Sequence, residues 1–182
     1  VALSLLTQAE NNIRQAIQLN TTGDYKYYLA YDYTIFGLLY SKRLSLLPSD
    51  DSSIQEQMVL FEQYYHTGLT YLTELGRTVN RSHQALDMAR AYLEVEVLQN
   101  LNRAEEIAQE CLQIFQEYNR RKQEAAALKL LGEIYQKRTQ QNQPDAEPIA
   151  TQFLSQSLQI YRELDLQEEA VEVEQLMHPS NP

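Results

Sequence analysis

The sequence contains "YTIFGLLY" at residues 33–40 and "LKLLGEIY" at residues 128–135. Both stretches read large apolar, two spacers, large apolar, glycine, two spacers and tyrosine. The first alone has the aromatic and β-branched composition of a strand, but the second lies among Ala, Leu, Glu and Lys, which favour helix. The shared pattern therefore predicts two helices. Each has a face with glycine (Gly37 or Gly132) at its centre, where a neighbouring helix can approach closely.

A second pattern predicts the helices that pack against these two faces. Small or apolar residues recur at i, i+4 and i+7, as Ala9/Ile13/Ala16, Phe61/Tyr65/Gly68, Ala104/Ala108/Cys111 and Ala150/Leu154/Ser157. In the last three copies a residue that tolerates left-handed backbone follows eight places after the final small one, namely Gly76, Asn119 or Asp165. Such a residue typically terminates a helix, so it predicts where each of these helices ends.

The two patterns alternate along the chain at regular distances. Ala16 to Tyr33 and Cys111 to Leu128 are both 17 residues, whereas Gly68 to Met88 is 20. The three additional residues predict a longer loop, "GRTVNRSHQ". The first pattern is degraded in this middle copy, which reads Met88/Ala91/Tyr92/Val95, so that Tyr92 replaces the glycine. Polar, proline-containing insertions are expected at 41–53 and 137–148.

We predict eight helices. Their expected ranges are 2–20, 25–46, 53–75, 83–100, 103–118, 122–141, 147–164 and 167–177, with capping boxes at Ser53/Glu56, Asn102/Glu105 and Asp165/Glu168. The whole of 1–178 is expected to form one domain that is closed by the acidic helix 167–177, followed by a tail at 179–182.

The residues Tyr33/Phe36/Gly37/Tyr40 and Leu128/Leu131/Gly132/Tyr135, with the second pattern, resemble the tetratricopeptide repeat (TPR) family. Successive units are spaced nearer 40 than 34 residues, as in longer TPR-like repeats. The resemblance implies an all-α, right-handed superhelical array of antiparallel helix pairs. It also implies a concave groove, lined by the first helix of each pair, that holds a peptide or helix of a partner protein.

Composition narrows the class of partner. The formal net charge is −10, which repels phosphate backbones and anionic lipid, so we expect neither nucleic acid nor a membrane surface as partner. One cysteine excludes an internal disulfide and suits a reducing compartment, which predicts a cytoplasmic location.

Enzyme chemistry finds little support in the sequence. His66, His83 and His178 show no metal-ligand spacing, and Cys111 occupies a small-residue packing position. No Gly-rich phosphate loop is present. We therefore predict no catalytic residue, no metal and no cofactor.

The groove implied by the resemblance would project side chains from three helices. The expected partner-binding residues are Tyr31, Thr34, Leu38, Ala89, Arg90, Leu93, Val97, Lys129, Glu133 and Lys137. Only Arg90 and Lys129 could form part of a basic clamp for acidic tails, so a mixed apolar and polar ligand is expected. The tyrosines between residues 25 and 40 are either a binding surface or core packing beneath the helix 53–75.

The leading hypothesis is a protein-interaction or scaffolding module, which a larger signalling chain could contain. The alternatives are a peptide-responsive receptor or regulatory switch, and a helical enzyme with a pocket around Tyr31, Arg90 and Glu133. The first helix has no partner helix before it in the sequence. Leu3, Leu6 and Ile13 should therefore be partly exposed, or covered by a second copy in a homodimer or by additional domains of a longer chain.

Overall fold

A computed structural model of the chain describes residues 2–178, and its residues form eight α-helices, one short 3-10 helix and no strand. The helices are α1 (Ala2–Thr22), α2 (Lys26–Leu44), α3 (Ile54–Glu74), α4 (Thr78–Glu94), α5 (Leu101–Glu117), α6 (Arg121–Gln140), α7 (Ala146–Glu163) and α8 (Gln167–Met177). The 3-10 helix, Glu96–Leu98, follows α4. The all-α class and the number of helices are as predicted. The expected tail, 179–182, lies outside the described residues.

Four helical hairpins follow one another, α1–α2, α3–α4, α5–α6 and α7–α8, and the same three-residue turn joins each pair. Its middle residue has positive φ: 52° at Asp24, 65° at Gly76, 51° at Asn119 and 57° at Asp165. The next amide donates to a carbonyl five residues back, as Arg120 does to Phe115 at 2.7 Å. This is the Schellman ending, and the three terminators predicted at Gly76, Asn119 and Asp165 are confirmed.

Glycine allows α2 and α3 to pack at close range. A Cβ built on Gly37 would lie 2.4 Å from the ring of Tyr65, and one built on Gly68 would lie 2.6 Å from the carbonyl oxygen of Ala30. In α6 and α7 the same contact places Gly132 against Leu154. There Ser157 Oγ donates to the Ala125 carbonyl at 2.8 Å. The expected role of the two patterns, one helix face fitted into the other, is confirmed in both places.

A tyrosine hydroxyl and a glutamate thirty residues earlier mark each of the first three hairpins. Tyr40 donates to Glu10 at 3.3 Å, Tyr92 donates to Glu62, and Tyr135 donates to Glu105. This spacing corrects the predicted register of the second hairpin. Tyr92 takes the tyrosine position, and the buried Ala89 takes the glycine position.

Helix α4 consequently begins earlier than predicted. The "GRTVNRSHQ" stretch is not a longer loop, because α4 starts at Thr78, directly after the turn at Gly76. The helix ends at Glu94, and Val95 is extended. The insertions are also shorter than expected, since α2 continues to Leu44 and α6 continues to Gln140.

The predicted capping boxes are wrong. The Ser53 hydroxyl makes no cap hydrogen bond and donates instead to Asp51 at 2.6 Å. Asn102 lies inside α5, and Asp165 belongs to the turn that ends α7, so Leu166 precedes α8. Ser53 is at the N-cap but has a helical backbone, with φ −86° and ψ −8°, whereas Asn102 and Asp165 are displaced from the cap position, so none of the three has the geometry of a capping box.

The chain divides into two compact units, residues 1–100 and 101–182. The core of the first unit includes Phe36, Phe61, Tyr65 and Leu72, each at most 1% exposed. The core of the second is built around Leu128, Leu154, Ile160, Tyr161 and Val173. Among the described helices none has both the length and the apolar character required to cross a bilayer.

Candidate functional site

The tyrosines at the start of the first unit divide into a set that stacks on α3 and an exposed set. Tyr33 stacks between Tyr64 and Tyr71 of α3, with ring centroids 6.1 and 5.9 Å away. Tyr40 is 3% exposed and stacks on Tyr64 at 5.5 Å. These rings belong to the packing of α2 on α3. Core packing beneath α3 is therefore confirmed for Tyr33 and Tyr40.

The exposed set forms an aromatic cluster around the first turn of α2. Tyr25, Tyr27 and Tyr28 are 58%, 40% and 59% exposed. Their rings meet edge to face, with centroids 6.3 Å apart for Tyr25 and Tyr28 and 5.7 Å apart for Tyr27 and Tyr28. Tyr31 joins the cluster 5.1 Å from Tyr27. Edge-to-face contacts fix ring positions while leaving the outer faces open to a ligand.

Helix α4 holds this cluster in place. Asn80 Nδ2 donates to the Tyr31 hydroxyl at 2.6 Å, and the Arg77 guanidinium lies 5.6 Å from the Tyr27 ring centroid. Burial raises the pKa of Tyr31, and its hydrogen bond with Tyr27 raises that pKa further. Tyr31 is thus a neutral hydroxyl at physiological pH, fixed between two helices.

The cluster continues as an apolar stripe along α2. Tyr27, Tyr31, Ile35 and Leu38 follow one another at intervals of four, four and three residues, so they share one side of the helix. Ile35 is 48% exposed and Leu38 is 38% exposed. We call the side chains of Tyr27, Tyr28, Tyr31, Ile35 and Leu38 the α2 face. Contiguous apolar exposure of this kind often marks a site for a protein ligand.

Basic residues lie at both ends of the α2 face, although the chain as a whole is acidic. Lys26 and Lys42 are exposed at the two ends of α2. Arg77 contributes its guanidinium beside Tyr27. An apolar ligand segment flanked by acidic residues is therefore the complement in both polarity and charge.

The predicted groove residues have different surroundings in the structure. Thr34, Ala89 and Leu93 are buried at 1%, 0% and 8% exposure, which corrects their expected place on an open surface. Thr34 packs against Gly68. The half-buried Tyr31 and the exposed Leu38 belong to the α2 face.

The other predicted groove residues do not belong to the α2 face. Arg90 pairs with Glu94 at 3.2 Å, and Lys129 pairs with Glu172 at 2.7 Å. Val97, Glu133 and Lys137 are half-buried, Val97 in the 3-10 helix and the other two on α6. Lys129, Glu133 and Lys137 all lie in the second unit.

At the positions of α6 that correspond to the α2 face, the second unit has Lys122, Gln123, Ala126, Leu130 and Glu133, and Leu130 is 0% exposed where Ile35 is 48% exposed. Lys122 pairs with Glu169 at 2.7 Å, and Gln136 donates to the Leu176 carbonyl at 2.7 Å. The exposed tyrosines are thus not required by the repeated packing, because the second unit forms the same helix pairing with Lys122, Gln123 and Ala126 at their positions. This difference singles out the α2 face as a candidate site.

Sequence reasoning missed Ile35, Arg77 and Asn80, and it left Tyr27 and Tyr28 undecided between a binding surface and core packing. Arg77 and Asn80 were assigned to a loop, which hid their position at the start of α4. The apolar side chains had a detectable signal, since Tyr27, Tyr31 and Ile35 recur every four residues. The packing pattern of Tyr33, Phe36 and Tyr40 on the opposite side obscured it.

The candidate residues for chemistry are dispersed. His66 pairs with Glu62 at 3.3 Å, and Cys111 is buried with 2% exposure. Within residues 2–178 no three His, Cys, Asp or Glu side chains are grouped as metal ligands.

Comparison with protein families, with curated proteins and with solved structures gives no match.

Proposed function

We propose that this protein is a TPR-like interaction module that binds an apolar segment of a partner protein on the α2 face. The observation that carries the proposal is the contiguous exposure of Tyr27, Ile35 and Leu38, at 40%, 48% and 38%. Large apolar residues in a line on one helix are unfavourable in water. A protein ligand that covers them would gain that free energy.

The fixed geometry of the aromatic cluster supports binding rather than folding as its role. Tyr31 is held by Asn80, and Tyr27 is held beneath Arg77, so little side-chain entropy remains to be lost when a ligand binds. Tyrosine and arginine are the residue types that contribute most to protein interfaces. The partner we propose is an amphipathic helix or extended peptide with apolar residues and acidic neighbours.

Affinity capture from the native cell extract, read by quantitative mass spectrometry, tests the proposal. The bait is compared with Ile35→Glu and with the double variant Ile35→Glu/Leu38→Glu. Val59→Glu is the matched control, because Val59 is a 55% exposed apolar residue that belongs to α3 and not to α2. A partner of the α2 face should be retained by the wild-type chain and by Val59→Glu, and be reduced at least about tenfold by the double variant.

The captured partner then provides a direct measurement. Its binding segment, made as a peptide, should lose about tenfold or more in affinity for Tyr27→Ala by calorimetry. A partner set that is the same for all four baits would overturn the proposal. Circular dichroism on each variant verifies that the helices are intact.

A further inference from the structure

An open cleft of about 600 Å³ lies in the second unit, between the end of α6, the start of α7 and the end of α8. Its floor is apolar, since Ala150 and Leu154 are 3% and 1% exposed. The lining side chains include Gln136, Glu147, Ala150, Thr151, Leu154 and Met177.

The first unit has a tyrosine where the second unit has this cleft. Tyr92 of α4 lies against the Phe61 ring, with centroids 5.6 Å apart, and donates its hydroxyl to Glu62. It is only 6% exposed. The α3–α4 hairpin is thus completed by an aromatic side chain near the end of α4.

The register of the two hairpins identifies the equivalent positions. Gly76 and Asp165 are the same turn residue, so Phe61 and Glu62 correspond to Ala150 and Thr151. Both substitutions are to smaller side chains, and both residues line the cleft. The position that corresponds to Tyr92 is Asn181, outside the described residues. The hairpin α7–α8 therefore has the surroundings of the repeated tyrosine without a tyrosine at that register.

Polar groups in the cleft are placed to receive a phenol. The Thr151 hydroxyl donates to the Glu147 carbonyl at 3.0 Å, which leaves its oxygen lone pairs able to accept. Glu147, which also lines the cleft, has a carboxylate that can accept a hydrogen bond. Gln136 already donates to the Leu176 carbonyl at 2.7 Å and so fixes the end of α8 at the rim.

We propose that this cleft is a binding site for a tyrosine-type aromatic side chain carried by a partner polypeptide. The ring takes the place that Tyr92 has in the first unit, over Ala150 and Leu154. Its hydroxyl donates to Thr151 or Glu147. The volume also admits a neighbouring aliphatic side chain, as Leu93 and Val95 accompany Tyr92. This site lies in a different unit from the α2 face, so it goes beyond the function proposed above.

The test measures the binding of two probes to the full chain by methyl NMR. One probe is p-cresol, the side chain of tyrosine. The other is a nonapeptide that copies residues 90–98, "RAYLEVEVL". Both should cause saturable shifts of the Thr151, Leu154, Leu176 and Met177 methyl signals and leave Val59 unchanged. The peptide with alanine in place of its tyrosine should bind at least about tenfold more weakly.

Variants at the rim decide the location. Thr151 is exposed, so Thr151→Trp fills the cleft without disturbing the core and should abolish the shifts, whereas Thr151→Ser should retain them. Non-saturable shifts, equal binding of the alanine peptide, or shifts that survive Thr151→Trp would each overturn the proposal. A variant that ends at residue 178 tests whether residues 179–182 of the chain itself compete with the probes. Binding seen only after that truncation would assign the cleft to the chain's own residues 179–182 and refute a partner site.

Discussion

At the scale of single residues, Gly68 is the glycine of the first unit at which an added Cβ would meet backbone atoms of a neighbouring helix at under 3.0 Å. A methyl group there would lie 2.6 Å from the Ala30 carbonyl oxygen and 2.9 Å from the Thr34 nitrogen. Because these are backbone atoms, the helices must separate to admit it. We expect Gly68→Ala to lower the free energy of unfolding by about 2 kcal/mol or more, despite the better helix propensity of alanine.

The control is Gly76, which has open space around it and needs only a left-handed backbone, with φ of 65°. Asn119 occupies the same turn position in the next hairpin. Gly76→Asn should therefore change stability by less than about 0.5 kcal/mol. Urea unfolding measures both variants. Equal stabilities for Gly68→Ala and the wild-type chain would contradict the close packing of α2 on α3.

Asp87 is a half-buried carboxylate of α4 whose ionisation disfavours folding. Burial raises its pKa, and the charges of His83 and Arg90 only partly oppose this effect. The folded-state pKa is above the unfolded one. Ionised Asp87 therefore costs stability at neutral pH, and this cost disappears as pH falls through the raised pKa. Asp87→Asn should raise the melting temperature at pH 7 and leave it unchanged near pH 3, where aspartate is protonated in both states.

The ionisation of Glu10 has the opposite effect on stability, because it favours folding. Burial alone would raise its pKa, but hydrogen bonds and charge from Arg14 and Arg43 outweigh burial and lower it. Its folded-state pKa is below the unfolded one, so its contribution is present at neutral pH and is lost as pH falls through the lowered pKa. Glu10→Gln should destabilise the chain at pH 7, with a loss that fades on acidification. Melting curves from pH 3 to pH 7 that move both variants in the same direction would refute the assignments.

At the scale of elements, α1 differs from the helices at its register in the other hairpins. It has no buried residue, whereas α5 buries Ala104, Ile107, Ala108, Cys111 and Phe115. Leu3 is 48% exposed, and Leu6 and Ile13 are half-buried, so the expected partial exposure of this helix is confirmed. Few buried contacts give a low free energy of local opening.

We therefore expect amide hydrogen exchange to be faster in α1 than in α5. Mass spectrometry of peptides from residues 2–22 and 101–117 compares them at one pH. Protection of α1 that rises with protein concentration would indicate that a second copy covers it. Equal protection of α1 and α5 at all protein concentrations would contradict the exposure of α1.

The elements themselves could largely be predicted, because their boundaries depend on local chemistry. A left-handed turn residue at Gly76, Asn119 or Asp165 ends a helix wherever it occurs. The start of α4 could not be predicted, since nothing local in "GRTVNRSHQ" separates a loop from a helix that begins at Thr78. The site was only partly predictable for a related reason. Thr34 and Leu38 lie on one helix, and only the position of α3 decides that the first is buried and the second exposed.

At the scale of the whole molecule, each unit contains one contact made by a glutamate, a tyrosine and an arginine. We call this contact the Glu–Tyr–Arg clamp. Arg43 pairs with Glu10 and Arg138 pairs with Glu105, both at 2.6 Å. The guanidinium of Arg138 also lies 5.0 Å from the Tyr135 ring centroid. Both clamps join the two helices of one hairpin, α1–α2 or α5–α6.

The second unit has the contacts expected of an independently folding segment. Its α6 packs on α7 through Gly132 and Leu154, and α6 is bonded to α8 through Lys122 and Lys129. We expect residues 101–182, expressed alone, to give a helical circular dichroism spectrum and one cooperative melting transition. The control is residues 101–140, in which α6 loses both α7 and α8 and should be largely unfolded, because two helices alone bury too little apolar area. A non-cooperative 101–182 beside a full chain that melts in a single step would instead make the two units one thermodynamic domain.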